Sequence, residues 1–103
     1  IGWNIVTLSA DATVAIGDRV LVQGGGITVT LPAVPSTVST RDVDIIITEI
    51  NGGVLATPIT INAAAGDLVN GASSTTIGVA LGSLSLCHDG DGTNWRIVSS
   101  HLL

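Results

Sequence analysis

Ile27-Thr28-Val29-Thr30-Leu31 is the stretch that decides the fold. Aliphatic residues fall at every second position, so Ile27, Val29 and Leu31 share one face of an extended strand and the two threonines the other. β-branched side chains are stiff at χ1 and fit a pleated, half-buried surface. Pro32 follows and breaks the pattern. The same alternation recurs at Ile59-Thr60-Ile61, Ser83-Leu84-Ser85-Leu86 and Trp95-Arg96-Ile97-Val98. Val43 to Ile50 differs: Val43, Ile45 and Ile47 fall on one face, Ile46 and Ile50 on the other. That pattern predicts a central strand covered on both sides, by a second sheet or by a neighbouring subunit.

Between these runs stand Gly17-Asp18, Gly24-Gly25-Gly26, Asn51-Gly52-Gly53, Gly66-Asp67, Asn70-Gly71 and Asp89-Gly90-Asp91-Gly92. Such residues reach the positive φ of tight turns. Short strands with turns between them predict one all-β domain over residues 1–103, a compact antiparallel β-sandwich or jelly-roll-like barrel. Ala33 to Thr40 reads as a surface loop, and no window has helical periodicity. The expected core is Ile27, Val29, Leu31, Ile45, Ile47, Ile59, Ile61, Leu84, Leu86 and Ile97, with Trp95 as its large anchor.

The composition bounds the function. Hydrophobic residues make up 46% and charged residues 11%, with a mean hydropathy of +0.65. An average domain carries about 25% charged residues, so the expectation is a surface partly covered by copies of the same chain. No apolar run approaches the roughly 20 residues of a spanning helix. Nor does the chain offer the aromatic girdles of a membrane barrel, because Trp3 and Trp95 are its only aromatics of the Phe, Tyr and Trp type. Three arginines against eight acids give a net charge of −5, which argues against nucleic acid as a partner. A single cysteine, Cys87, allows no internal disulfide and fits assembly in a reducing cytoplasm. Ile1 to Leu8 lacks the basic start and apolar run of a signal peptide. Without an initial Met, the chain is expected to be a processed form, a fragment, or part of a longer product.

No chemical motif outweighs its plainer reading. Asp89 and Asp91, next to His88, have some look of a calcium loop, but calcium needs six to eight oxygens and no acid follows Trp95. A hairpin turn is the simpler account, and no metal or cofactor is expected. Cys87 and His88 are adjacent, so in a strand they point to opposite faces and cannot act as nucleophile and base; Cys87 reads as a buried structural thiol. Gly24-Gly25-Gly26 lacks the lysine and following helix of a phosphate loop. Asp42 and Asp44 read as an exposed loop-to-strand boundary. Asp18-Arg19 and Arg41-Asp42 read as surface or intersubunit ion pairs. No catalytic residue, and hence no enzyme, is predicted.

In order, the features run Ile27-Thr28-Val29-Thr30-Leu31-Pro32-Ala33, the apolar strand Val43 to Ile50, then Pro58-Ile59-Thr60-Ile61-Asn62. Gly66-Asp67-Leu68-Val69-Asn70-Gly71 and Gly82-Ser83-Leu84-Ser85-Leu86 follow, before a Gly/Asp turn and Asn94-Trp95-Arg96-Ile97-Val98. Over roughly residues 11 to 99 this resembles the small β-domains of tailed-bacteriophage virions: capsid decoration (cement) proteins, head fibres, and tail-fibre or spike modules. Its departure from them is that aromatic positions are filled by aliphatics. The resemblance implies a homotrimer in the virion, assembled in the host cytoplasm and partnered by the major capsid protein or other virion proteins. It brings no catalytic residues. Stabilising the shell is the leading expectation. The alternative is a tail-fibre or spike module that binds a host surface glycan through loops such as Ala33–Thr40 and Gly71–Thr76. A surface-layer or filament subunit is a third possibility.

Overall fold

A computed structural model describes residues 3–52 and 57–101. It contains ten strands: β1 (Asn4–Leu8), β2 (Ala12–Thr13), β3 (Asp18–Val22), β4 (Thr28–Thr30), β5 (Ile45–Glu49), β6 (Ile59–Asn62), β7 (Leu68–Val69), β8 (Ser74–Ile77), β9 (Ser83–His88) and β10 (Asn94–His101). Among the described residues there is no helix, and the fold is all-β.

The strands form a six-stranded sheet, ordered β1-β3-β5-β9-β10-β7, and a four-stranded sheet, ordered β2-β4-β6-β8. The first six strands alternate between them. Each odd-numbered strand lies in the larger sheet and the next even-numbered strand in the smaller. Successive strands of one sheet pair in parallel: Asn4 opposite Asp18, Arg19 opposite Ile46, Ala12 opposite Val29, Thr28 opposite Thr60. The chain thus winds as three stacked coils. Antiparallel β8 and β9 close the β5/β6 end, while β1 and β2 are edge strands at the other.

The expected antiparallel arrangement is therefore corrected: parallel and antiparallel pairings are mixed, and the stacked coils are parallel. Gly17-Asp18 and Gly24-Gly25-Gly26 do not fold strands back as hairpins. They carry the chain from one sheet to the other, and the intervening strand supplies the crossover that parallel pairing requires. Asp89–Gly92 does turn a hairpin, joining antiparallel β9 and β10. The Asn51-Gly52-Gly53 turn is described only as far as Gly52, since Gly53 lies outside the described residues.

One core lies between the sheets. Val20, Val22, Ile45, Ile47, Leu84, Leu86 and Trp95 enter it from the larger sheet, and Val29, Ile59, Ile61 and Ile77 from the smaller. Ile27 and Leu31, which flank β4, are buried too, and Ile97 is half-buried against the cluster. Trp95 is completely enclosed, and its indole Nε1 donates to the Pro32 carbonyl at 3.1 Å, so the largest core side chain leaves no polar atom unpaired. β5 is central, between β3 and β9, but within one chain only its inner face is sealed. Ile46 on the outer face is half-buried, Ile50 is exposed, and Val43 precedes the strand.

Three carboxylates are buried with the aliphatics, each at a corner of the winding. Asp18 accepts from the Ala15 N–H and from the Asn4 amide. Glu49 accepts from the N–H groups of Asn51, Gly52 and Leu81. Asp44 accepts from the Ser39 hydroxyl and the His88 N–H. Corners leave backbone N–H groups without ladder partners, and a carboxylate can satisfy two or three of them.

Candidate functional site

At the β1–β3–β5 corner of the larger sheet, a hollow of about 420 Å³ is lined by Trp3, Thr40, Arg41, Asp42, Val43 and Ile46. The local sequence builds it in two steps. First, the Gly17 N–H donates to the Asp44 carbonyl at 2.7 Å and the Asn4 N–H to the Gly17 carbonyl at 2.9 Å, which binds the β2–β3 corner between β1 and the approach to β5. Gly17 has a φ of +93°, and a Cβ there would lie 3.2 Å from Arg41 Nη2, so a glycine lets the arginine lie across the turn. Second, the Asp44 carboxylate takes the Ser39 hydroxyl at 2.7 Å, and Ser39 Oγ takes the Arg41 N–H at 3.0 Å. A buried acid thereby fixes the backbone from which Arg41 projects, and its guanidinium carbon stands 5.5 Å from the Trp3 ring centroid, within cation–π range.

The surrounding face is sparsely charged. On the outer side of the larger sheet, Ile5, Arg19, Ile46 and Ser85 lie in one cross-strand row and Thr7, Leu21, Thr48 and Ser83 in the next. Trp3, Ile5 and Ile16 are exposed apolar residues of the first coil.

Most charged side chains are occupied within the fold. Asp11 takes the Thr28 N–H and Asp67 the Val34 N–H. Asp18, Asp44 and Glu49 are committed as described. Arg96 bridges Asp89 at 3.0 Å and Asp91 at 2.9 Å. Asp91 also takes the N–H groups of Asn94 and Thr93, which hold its carboxyl below the usual range. Among the described residues, Arg19, Arg41 and Asp42 have neither a side-chain hydrogen bond nor an ion pair. Arg41 and Asp42 line the hollow, and Arg19 is the cross-strand partner of Ile46, a lining residue.

Several sequence readings are corrected. Asp44 is not at an exposed boundary: it is buried, while Asp42 is exposed. Neither Asp18-Arg19 nor Arg41-Asp42 forms an ion pair within the chain, because Asp18 turns inward to the Ala15 N–H and the Asn4 amide and Arg41 lies over Trp3. Cys87 and His88 do point to opposite faces, but Cys87 is the half-buried one, on the outer face, and His88 is buried. Burial, with the charges of Asp44 and Asp89, pushes the Cys87 thiol up despite Arg96, so it rests protonated. Asp89 and Asp91 are occupied by Arg96 and by turn N–H groups.

The chain matches no family model and no curated protein.

The hollow joins an aromatic surface, a guanidinium, a carboxylate and a hydroxyl in one open depression. It can stack a ring and hydrogen-bond its substituents. Trp3 and Arg41 come from opposite ends of the coil stack, so their meeting is not written in any local motif. The one available signal was a tryptophan in a chain otherwise almost devoid of aromatics.

Proposed function

We propose that this chain is a non-enzymatic structural module of a tailed-bacteriophage virion, one subunit of a homotrimer that decorates or fibres the capsid and stabilises its shell. In this reading the two sheets form a β-sandwich. The observation that carries it is the exposed apolar group on the first coil, Trp3, Ile5 and Ile16, beside the unpaired edges of β1 and β2. Open strand edges next to exposed aliphatics are a hazard for a lone molecule and a contact surface for an assembling one. The sequence resemblance supplies the virion. Mass measurement by light scattering on a sizing column tests the trimer, and binding of purified protein to shells that lack it tests the capsid role. A monomer that binds no shell overturns the reading.

A second reading, a tail-fibre or spike module that takes a host surface glycan, is favoured by the hollow beside Trp3. Of the two loops expected to carry recognition, Ala33–Thr40 and Gly71–Thr76, the hollow favours the first, whose last residue Thr40 lines it with Arg41. Titration of the protein with host-surface oligosaccharides tests it.

A further inference from the structure

We infer that the Trp3 hollow is a binding site for an acidic saccharide, a sugar ring that carries a carboxylate. The inference rests on the glycan reading and narrows its ligand class.

The argument starts from charge left unspent. A fold with three arginines and eight acids employs nearly all its charged groups in capping corners or closing the β9–β10 turn. The three left over gather at one corner, and two of them are cations. Arg41 lines the hollow with Asp42, and Arg19 lies opposite the lining residue Ile46 across the β3–β5 ladder. The buried acids of the same corner, Asp18 and Asp44, turn their carboxylate oxygens to donors from Ala15, Asn4, Ser39 and His88, whereas the guanidinium of Arg41 lines the hollow.

The remaining lining fits the rest of a sugar. The indole of Trp3, with Val43 and Ile46, offers an apolar wall for a ring's C–H face. The Thr40 hydroxyl and the Asp42 carboxylate offer an acceptor-rich rim for hydroxyl groups. A guanidinium presents a planar fork of donors matched to a carboxylate. About 420 Å³ falls in the range of ligand pockets, roughly 300–1,000 Å³. Arg41 already stands over the Trp3 ring, so a carboxylate drawn to it is brought beside the aromatic wall.

The test is an NMR titration of the intact protein with two matched oligosaccharides, one ending in glucuronic acid and one in glucose. The acidic sugar is expected to move the Trp3 indole signal and to bind about tenfold more tightly, the worth of one charge-assisted hydrogen bond. Arg41→Gln and Arg19→Gln should bring its affinity to that of the neutral sugar, and Trp3→Ala should abolish binding of both. Circular dichroism checks that each variant is folded. Equal binding of the two sugars overturns the acidic inference and leaves the glycan reading standing. Binding of neither overturns both. If neither binds and Arg41→Gln dissociates the oligomer, the hollow is a subunit contact and the inference is overturned.

Discussion

The imidazole of His88 stands edge-on to the indole of Trp95, with ring centroids 5.7 Å apart and planes at 85°. The two residues face each other across the β9–β10 ladder. His88 Nδ1 is also 2.7 Å from the Thr37 carbonyl, so the loop before β5 is tied to the core through the aromatic pair. Trp95→Ala removes the anchor of the core and the donor to Pro32. It should cost about 3–5 kcal/mol, read as a drop in the urea midpoint with an unchanged slope. A loss below 1 kcal/mol would mean that the core does not depend on this residue.

Glu49 gives the fold an acid-sensitive corner. Burial opposes its charge, but N–H donors from Leu81, Asn51 and Gly52 outweigh it and hold the carboxyl below its ordinary value of 4.5. A carboxyl depressed in the folded state binds its proton more readily when unfolded. Its contribution is therefore complete above the unfolded value and is lost as pH falls through the lowered folded value. The midpoint in denaturant, followed from pH 6 downwards, should hold and then fall below about 4.5. Glu49→Gln should be less stable at neutral pH and lose that part of the acid response, whereas a variant with the wild-type acid slope would refute the assignment. Glu49→Ala strands three donors and should cost about 3 kcal/mol or more.

Gly82 is required for space. A Cβ there would lie 2.8 Å from Ile77 Cγ2, 2.9 Å from the Val79 carbonyl and 3.0 Å from the His101 carbonyl. Two of these are backbone atoms, so side-chain rotation cannot relieve the crowding. Gly82→Ala should destabilise by about 1–3 kcal/mol, against the usual stabilising effect of replacing glycine where space allows. A rise in melting temperature would refute the close approach.

Five of the strands, β4, β5, β6, β9 and β10, were legible in the sequence because period-2 alternation is local: Ile27 to Leu31 and Ser83 to Leu86 carry their own faces with them. The sheet topology was not. A glycine turn that reverses a strand within a sheet and one that lifts it to the opposite sheet use the same residues, and only long-range pairing tells Gly17-Asp18 from Asp89-Gly90. The buried acids were hidden for a similar reason. Asp44 and Glu49 look like surface charges until the backbone donors of His88, in β9, and of Leu81, in the turn before it, arrive from far along the chain. The hollow depends on Trp3 meeting Arg41 across 38 residues of sequence, and no spacing rule reaches that far.

Ser39 links the buried and the open parts of that corner. Its hydroxyl donates to Asp44 Oδ1 and its oxygen takes the Arg41 N–H. Ser39→Ala should free the Arg41 turn while leaving the aliphatic core intact, at a cost of about 1–2 kcal/mol. Because Arg41 stands over the Trp3 ring, the indole N–H signal of Trp3 should shift in the NMR spectrum. The Trp95 indole N–H, bonded to the Pro32 carbonyl, reaches Ser39 only through His88 and Asp44, so its signal should move less. Ser39→Thr, which keeps the hydroxyl, should restore the Trp3 signal. If the Trp95 signal moves and the Trp3 signal does not, Ser39 acts on the core and does not hold Arg41.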